Sequence, residues 1–279
     1  MTTIAVLGAT GTAGSRVVAR LRSRDVAVVE ISRAQGVDVV SGANLSRALD
    51  GVDVAIDVTN PTPPDIGMDI AETLVTAARN IVNACVERAV RRLVAATMAG
   101  IEDPAFDGYP YCEAKRAAKD VLLDGPVPTT IVKSTHWYEF ATNADAVNVG
   151  PDEVVVEDWL IQPIAADTVA DVLVEAALGQ THTPRAITGP HTLRLPELTA
   201  KVLALQGDTR PVRPVQPAVA ALGGGALLAS GHAVALGPDI DGWLSSHAAA
   251  GPAAAPASNG AKGTRNLDGA FDGAQPSLT

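Results

Sequence analysis

Aromatic residues make up only 3% of this 279-residue chain, and cysteine occurs just twice, at Cys85 and Cys112. Two cysteines without ligand spacing exclude a disulfide framework and a cysteine metal cluster, so reduced thiols and no metal are expected. No run approaches the ~18 uninterrupted apolar residues that a membrane-crossing helix needs. The chain enters a strand-like run at once, without a basic and apolar leader, so a cytoplasmic rather than a secreted protein is expected. Positive charge is scarce: 21 Lys and Arg face 31 Asp and Glu, for a net charge of −10. Nucleic acid is therefore not expected as a partner, because a phosphate backbone needs a basic face. A hydrophobic share of 47% is enough for a sizeable globular core. These shortages leave a soluble protein that takes a small-molecule substrate and keeps its few basic residues for a local anionic site.

What is present is concentrated at the start. Residues 4–16 read Ile-Ala-Val-Leu-Gly-Ala-Thr-Gly-Thr-Ala-Gly-Ser-Arg. A short apolar strand runs into Gly8, Gly11 and Gly14 and then into helical spacing, which is what a dinucleotide pyrophosphate requires. Gly8 can take the tight turn, Gly11 lets the backbone approach phosphate, and Gly14 lets the helix pack closely on the strand. The helix N-terminus adds free N–H groups from the segment Thr10, Thr12 and Ala13 and a positive dipole end. A glycine turn without a ligand is the competing reading; the position between strand and helix weighs against it.

Strand-like and helix-like runs alternate through about residue 135. Strands are expected at 3–7, 26–32, 37–40, 53–58, 92–97 and 129–133, with helices at 15–24, 45–49, 68–89 and 111–123. Strands separated by helices imply right-handed crossovers and a parallel sheet, so the expected fold is doubly wound α/β. Residues 1–135 would form the nucleotide-binding core. Beyond it, short strands at 154–156, 161–164 and 185–188 and helices at 168–178 and 196–205 suggest a smaller substrate lobe over 136–247, laid on the carboxyl edge of the sheet. Residues 248–279, rich in Ala, Gly, Pro, Ser and Asn, read as a disordered tail.

The residue closing the second strand meets the adenosine ribose in such folds, and an arginine there accommodates a 2′-phosphate. Arg33 stands nineteen residues past Gly14, and Arg16 at the helix start offers a second charge, so NADP (NADPH) is expected over NAD. Glu30, the nearby acid, lies three residues too early in the strand pattern. A solvated strand-end charge is the alternative for Arg33. Thr59 and Asn60 close the fourth strand beside the expected pyrophosphate or ribose, although a plain Asn-Pro turn explains them equally well.

Tyr111 and Lys115, four apart at a helix start, face the same side. A lysine one turn away would lower the phenol pKa and make it a proton donor and acceptor, and the same ammonium can hold the nicotinamide ribose. Thr97, ending the preceding strand, would supply a third hydroxyl. His136, Trp137 and Tyr138 follow the sixth strand and suggest a substrate wall, with His136 as an alternative acid/base and a core role open for Trp137. Asp167 and Asp171 read as an N-cap acid and a solvated helix face.

Gly8-x-x-Gly11-x-x-Gly14, Tyr111-x-x-x-Lys115 and Thr97 resemble the short-chain dehydrogenase/reductase superfamily. The segments 134–140, 161–170 and 189–193 resemble its atypical NmrA-like, NAD(P)H-binding branch, over residues 1–247. That resemblance implies a Rossmann-type doubly wound parallel sheet with a small C-terminal substrate lobe. It also implies hydride transfer to a small carbonyl or quinone-like substrate, with Tyr111 protonating the alkoxide, Lys115 binding ribose and Thr97 orienting the carbonyl. NmrA-like relatives that lack the tyrosine imply the alternative of a non-catalytic NADP(H)-sensing regulator; a sugar-nucleotide epimerase is a third reading. Either a monomer or a homodimer is compatible, since helix 111–123 can pair subunits or pack internally.

Overall fold

The computed structural model describes residues 1–63, 69–179 and 185–249. Its first half alternates β1 (Thr2–Leu7), α1 (Thr12–Arg22), β2 (Val26–Ile31), α2 (Leu45–Ala48), β3 (Val54–Asp57), α3 (Ile70–Glu87), β4 (Arg92–Met98), α4 (Pro110–Asp124) and β5 (Thr129–Ser134). There follow β6 (Val147–Val149), β7 (Val154–Glu157), β8 (Leu160–Ile161), α5 (Ala166–Ala177), β9 (Ala186–Thr188), β10 (Leu193–Arg194) and α6 (Leu195–Leu205). The described chain closes with β11 (Val212–Val215), α7 (Ala220–Gly224), β12 (Val234–Ala235) and α8 (Ile240–Ala249).

Seven strands form one parallel sheet in the order β2-β1-β3-β4-β5-β9-β12. The direction of progression reverses between β1 and β3, and a crevice opens outside the carboxyl ends of strands at such a switch point. Side chains alternate across the pleat. Ile4 and Val6 join Val17, Leu21, Val169 and Leu173 under α1 and α5. Ala5 and Leu7 join Ala78, Ile81 and Ile131 under α3 and α4. With both faces covered, β3 is buried along its whole length, which is why its sequence is a continuous apolar run up to Asp57.

A third cluster, from Ile101, Phe106 and Tyr138 to Leu198 and Trp243, holds together the elements over the carboxyl edge. These include the small sheet β11-β7-β6 and the pair β10-β8. Helix α5 and strand β9, expected in that outer lobe, instead belong to the central layers: β9 pairs with β5, and α5 packs on α1.

Residues 37–40 are not a strand. Gly36, Gly42 and Asn44 take positive φ and turn the segment, while the Asn80 side chain donates to the carbonyls of Val39 and Val40 at 3.0 and 2.8 Å. Val37 and Val39 are apolar because they are buried against the core; the Val37 N–H donates to the Ser32 carbonyl and Asn80 serves the Val39 carbonyl, so no neighbouring strand is needed. The expected tail falls outside the described residues apart from 248–249, which end α8.

Candidate functional site

The turn after β1 is built by close backbone approach. Gly8 has φ +85°, a conformation that favours glycine. The N–H groups of Gly8 and Ala9 both donate to the Ile31 carbonyl, at 2.9 and 3.1 Å, tying the turn to the end of β2. A Cβ on Gly14 would lie 2.0 Å from the Gly8 carbonyl oxygen. Around Gly11, by contrast, a Cβ would meet only that oxygen, at 3.3 Å. Helix α1 starts at Thr12 with Gly11 as an N-cap that offers no side-chain bond, and its first turn holds no acid. Among the described residues nothing accepts from the N–H groups of Thr12 and Ala13. Thr10 stands exposed at the lip and Thr12 half-buried. Unpartnered amides, a positive dipole end and open space above Gly11 fit a pyrophosphate.

The two arginines part ways. Arg33 follows β2 in a single helical turn, is exposed, and its side chain makes no hydrogen bond or ion pair among the described residues. Glu30, the acid that would otherwise compete for the ribose, is paired with Arg22. Arg16 turns away from the nucleotide side. Its Nη1 donates to the Thr12 carbonyl at 2.7 Å, Nε meets Asp167 at 2.8 Å and Nη2 meets Glu139 at 3.3 Å. The expectation of a second cation for the 2′-phosphate at Arg16 gives way to an ion pair that closes α1 onto α5. Asp167 is correspondingly not an N-cap; that place is Ala165, and the N–H of Ala166 donates to Glu139 at 3.0 Å. Asp171 is paired with Arg20 rather than merely solvated.

Past β3, the segment 57–60 organises the start of α4. The Thr59 N–H and Oγ1 both donate to Asp57 Oδ1, at 2.9 and 2.7 Å. Tyr111 donates its hydroxyl to Asn60 Oδ1 at 3.3 Å. The Thr59 and Asn60 side chains, expected beside the nucleotide, are thus directed at Asp57 and Tyr111. Asp57, Thr59, Thr97 and Lys115 line one narrow cleft of about 40 Å³ whose floor is Ala77, Ile81 and Ile131. Burial pushes the Asp57 carboxyl up, against the opposing bonds from Thr59 and the Lys115 charge; burial pushes the Lys115 ammonium down, and the Asp57 charge partly restores it.

Lys115 does not act on the phenol in the expected sense. Its Nζ lies 5.7 Å from the centroid of the Tyr111 ring, over the face rather than at the hydroxyl. Burial pushes Tyr111 up to about 12, with the Asn60 bond opposing. The expected lowering is therefore reversed: desolvation outweighs everything the neighbours supply.

His136 is held edge-on between Phe140 and Trp159, at ring separations of 6.1 and 6.2 Å. Its Nε2 is buried without a partner among the described residues, and burial lowers it to about 4. A neutral imidazole at pH 7 is no general acid, which leaves only the base half of the alternative acid/base role. Trp137 donates to Ser134 Oγ at 2.9 Å and packs into the core, while Tyr138 is fully buried and donates to the Pro238 carbonyl at 3.2 Å. Of that stretch it is Phe140, stacked 5.0 Å from Trp137, that faces solvent. Asp57 was missed from the sequence; the signal was an acid ending an otherwise apolar, fully buried strand.

A family model described as NAD(P)H-binding matches residues 8–180, starting at the first glycine of the turn. The chain belongs to this NAD(P)H-binding family. A short-chain dehydrogenase/reductase superfamily protein from Agrobacterium tumefaciens, with bound NAD, superposes with a TM-score of 0.64 at 16% identity, over 89% of this chain and 96% of the other. UDP-N-acetylglucosamine 4-epimerase from Bacillus cereus gives a TM-score of 0.61 at 13% identity, over 90% and 96% of the two chains. An NADPH-dependent quinone oxidoreductase from Escherichia coli, complexed with NADPH, gives 0.56 at 17% identity, over 77% and 78%. At these identities the likeness is one of fold. No curated protein matches the chain. An NAD(P)H-binding chain of this topology places the pyrophosphate at the α1 N-terminus, where the residues described above fit it. Among the described residues no helix is long and apolar enough to cross a membrane, and no three His, Cys, Asp or Glu gather as metal ligands.

Proposed function

We propose that the chain is an NADP(H)-dependent oxidoreductase of the short-chain, NmrA-like type, reducing a small carbonyl or quinone-like substrate in the cytoplasm. The observation that carries this reading is the convergence of Thr97 and Lys115 on one cleft, with Tyr111 a turn before Lys115, at the strand ends beside the glycine turn. Arg33, exposed and unpartnered among the described residues, supports the 2′-phosphorylated form of the cofactor. When bound, the reduced dinucleotide supplies a hydride. Gly11, Thr12 and Ala13 hold its pyrophosphate, Arg33 its 2′-phosphate and Lys115 its ribose hydroxyls.

Thr97 orients the carbonyl oxygen through Oγ1, and Tyr111 holds the proton to be delivered at Oη. A phenol raised to about 12 keeps that proton at neutral pH, and an alkoxide, being the stronger base, takes it readily; the reduction direction is favoured. The same raised phenol favours, as a second reading, a regulator that senses NADP(H) without turnover. NADPH consumption against a panel of carbonyls and quinones decides between them. Turnover lost in Tyr111→Phe and Lys115→Met supports the enzyme, whereas tight NADPH binding with no turnover across the panel supports the sensor.

A further inference from the structure

Asp57 stands at the end of β3, on the strand next to the one that carries Thr97, and the residue is 8% exposed. A carboxylate in such a place is costly unless something holds it. Two hydrogen bonds from Thr59, both to Oδ1, fix its rotamer, and Oδ2 makes no hydrogen bond among the described residues. Across the same cleft stands Lys115. Lys115 is half-buried where residues of α3 and β4 line the cleft, burial lowers its ammonium, and among the described residues its side chain makes no hydrogen bond. Neither Tyr111 nor the strand ends offers it a charge; Asp57 does.

We propose that Asp57 is a positioning residue of this site, whose Thr59-locked carboxylate holds the Lys115 ammonium charged and directed into the cleft shared with Thr97. The inference rests on the oxidoreductase reading only in naming what that charge serves, the ribose hydroxyls and the developing oxyanion. The remaining groups near Lys115 are accounted for. Lys119, one turn on, lines the cleft but is paired with Glu102 and Asp120 at 3.3 and 3.0 Å. Tyr111 presents its ring face. Cys85 of α3 is pushed up to about 12 by burial and by the Asp57 charge, so it stays a neutral thiol. Strands β4 and β5 contribute uncharged Ala96, Thr97 and Ile131.

The chain has five lysines, so the 13Cε resonances of 13C-lysine-labelled full-length protein separate, and Lys115→Arg assigns the one of interest. The Lys115 titration midpoint is then read in the protein without substrate. Asp57→Asn is expected to lower it by about one unit, a tenfold change in proton affinity. Asp57→Glu, which keeps the charge, restores most of the midpoint, and Glu102→Gln, which disturbs only the Lys119 and Lys133 pairs, leaves it in place. If Asp57→Asn does not fold, Thr59→Val frees the carboxylate and lowers the midpoint by a smaller step. An unmoved midpoint in whichever of these two variants folds overturns the proposal. A midpoint that shifts in a protein without turnover on any substrate leaves Asp57 in its role and removes the oxidoreductase reading alone. Turnover with an unmoved midpoint removes Asp57 and spares that reading.

Discussion

Replacing Gly14 by alanine puts a methyl carbon 2.0 Å from the Gly8 carbonyl oxygen, 2.7 Å from its carbon and 2.9 Å from Ala9 Cα. All three are backbone atoms of a turn anchored to Ile31, so no side chain can rotate out of the way. Reaching an ordinary contact of about 3.4 Å requires α1 to retreat from β1 by about 1.4 Å. That helix packs Val17, Val18 and Leu21 into the core at no more than 4% exposure, and the retreat strains all of them. Overpacking of this kind costs about 1–3 kcal/mol, which for a domain of this size lowers Tm by roughly 2–12 °C. The same displacement pulls the Thr12 and Ala13 amides off the pyrophosphate, so NADPH affinity falls too. Gly11→Ala is the matched control. Its Cβ meets one oxygen at 3.3 Å and its φ is −80°, so thermal stability stays within about 0.5 kcal/mol of the parent, while the methyl occupies space meant for phosphate and NADPH binding falls. Thermal unfolding without nucleotide and fluorescence titration with NADPH measure the two effects separately. Equal stability losses in both variants, or unchanged binding in Gly11→Ala, refute the division of labour between the two glycines.

Arg33→Ala removes a charge-assisted contact worth about 1.5–3 kcal/mol; the NADPH Kd is expected to rise roughly tenfold to a hundredfold while that for NADH stays put, and parallel titrations check this. Because burial holds the Tyr111 phenol up to about 12, the reduction rate is expected to stay flat through neutral pH, whereas alcohol oxidation, which needs the phenolate, climbs with pH toward that value in pH–rate profiles of the two directions. Burial raises the Asp167 carboxyl, but bonds from Arg16 and Arg20 outweigh it and leave the group lowered in the folded state. Its contribution to stability is thus present above the ordinary carboxylate range and lost as pH falls through the lowered value. Asp167→Asn is expected to destabilise at pH 7 and to match the parent in strong acid, read by urea unfolding across pH.

The reach of the sequence followed the range of the interactions. The β1 turn and α1 were legible because Gly8, Gly11 and Gly14 act on one another within seven residues, and each has a steric reason to be glycine. Arg33 could be singled out because it follows β2 directly, where such folds place the ribose site. Arg16 was not, since the acid that claims it, Asp167, is 151 residues away. The apolar run at 37–40 gave a false strand because burial, which makes a segment apolar, does not require a neighbouring strand when Asn80 can serve the carbonyls. Strand β9 is legible at 185–188 but as part of the outer lobe, and β12, of two residues, carries too few positions to show a period, so the far edge of the sheet was not legible. Tyr111 and Lys115 could be placed together at the start of α4, but their electrostatics could not be read, because desolvation and the Asp57 charge arise only when β3 and α4 meet.

The proposed function requires one continuous site from Arg33, over the glycine turn, to the cleft of Thr97 and Lys115. A crystal structure of the protein with NADPH tests it most directly. The 2′-phosphate is expected on the Arg33 guanidinium, the pyrophosphate on the Thr12 and Ala13 amides, and the nicotinamide within reach of the Thr97 and Tyr111 hydroxyls. A nicotinamide turned away from that cleft, or a 2′-phosphate with no contact to Arg33, would contradict it.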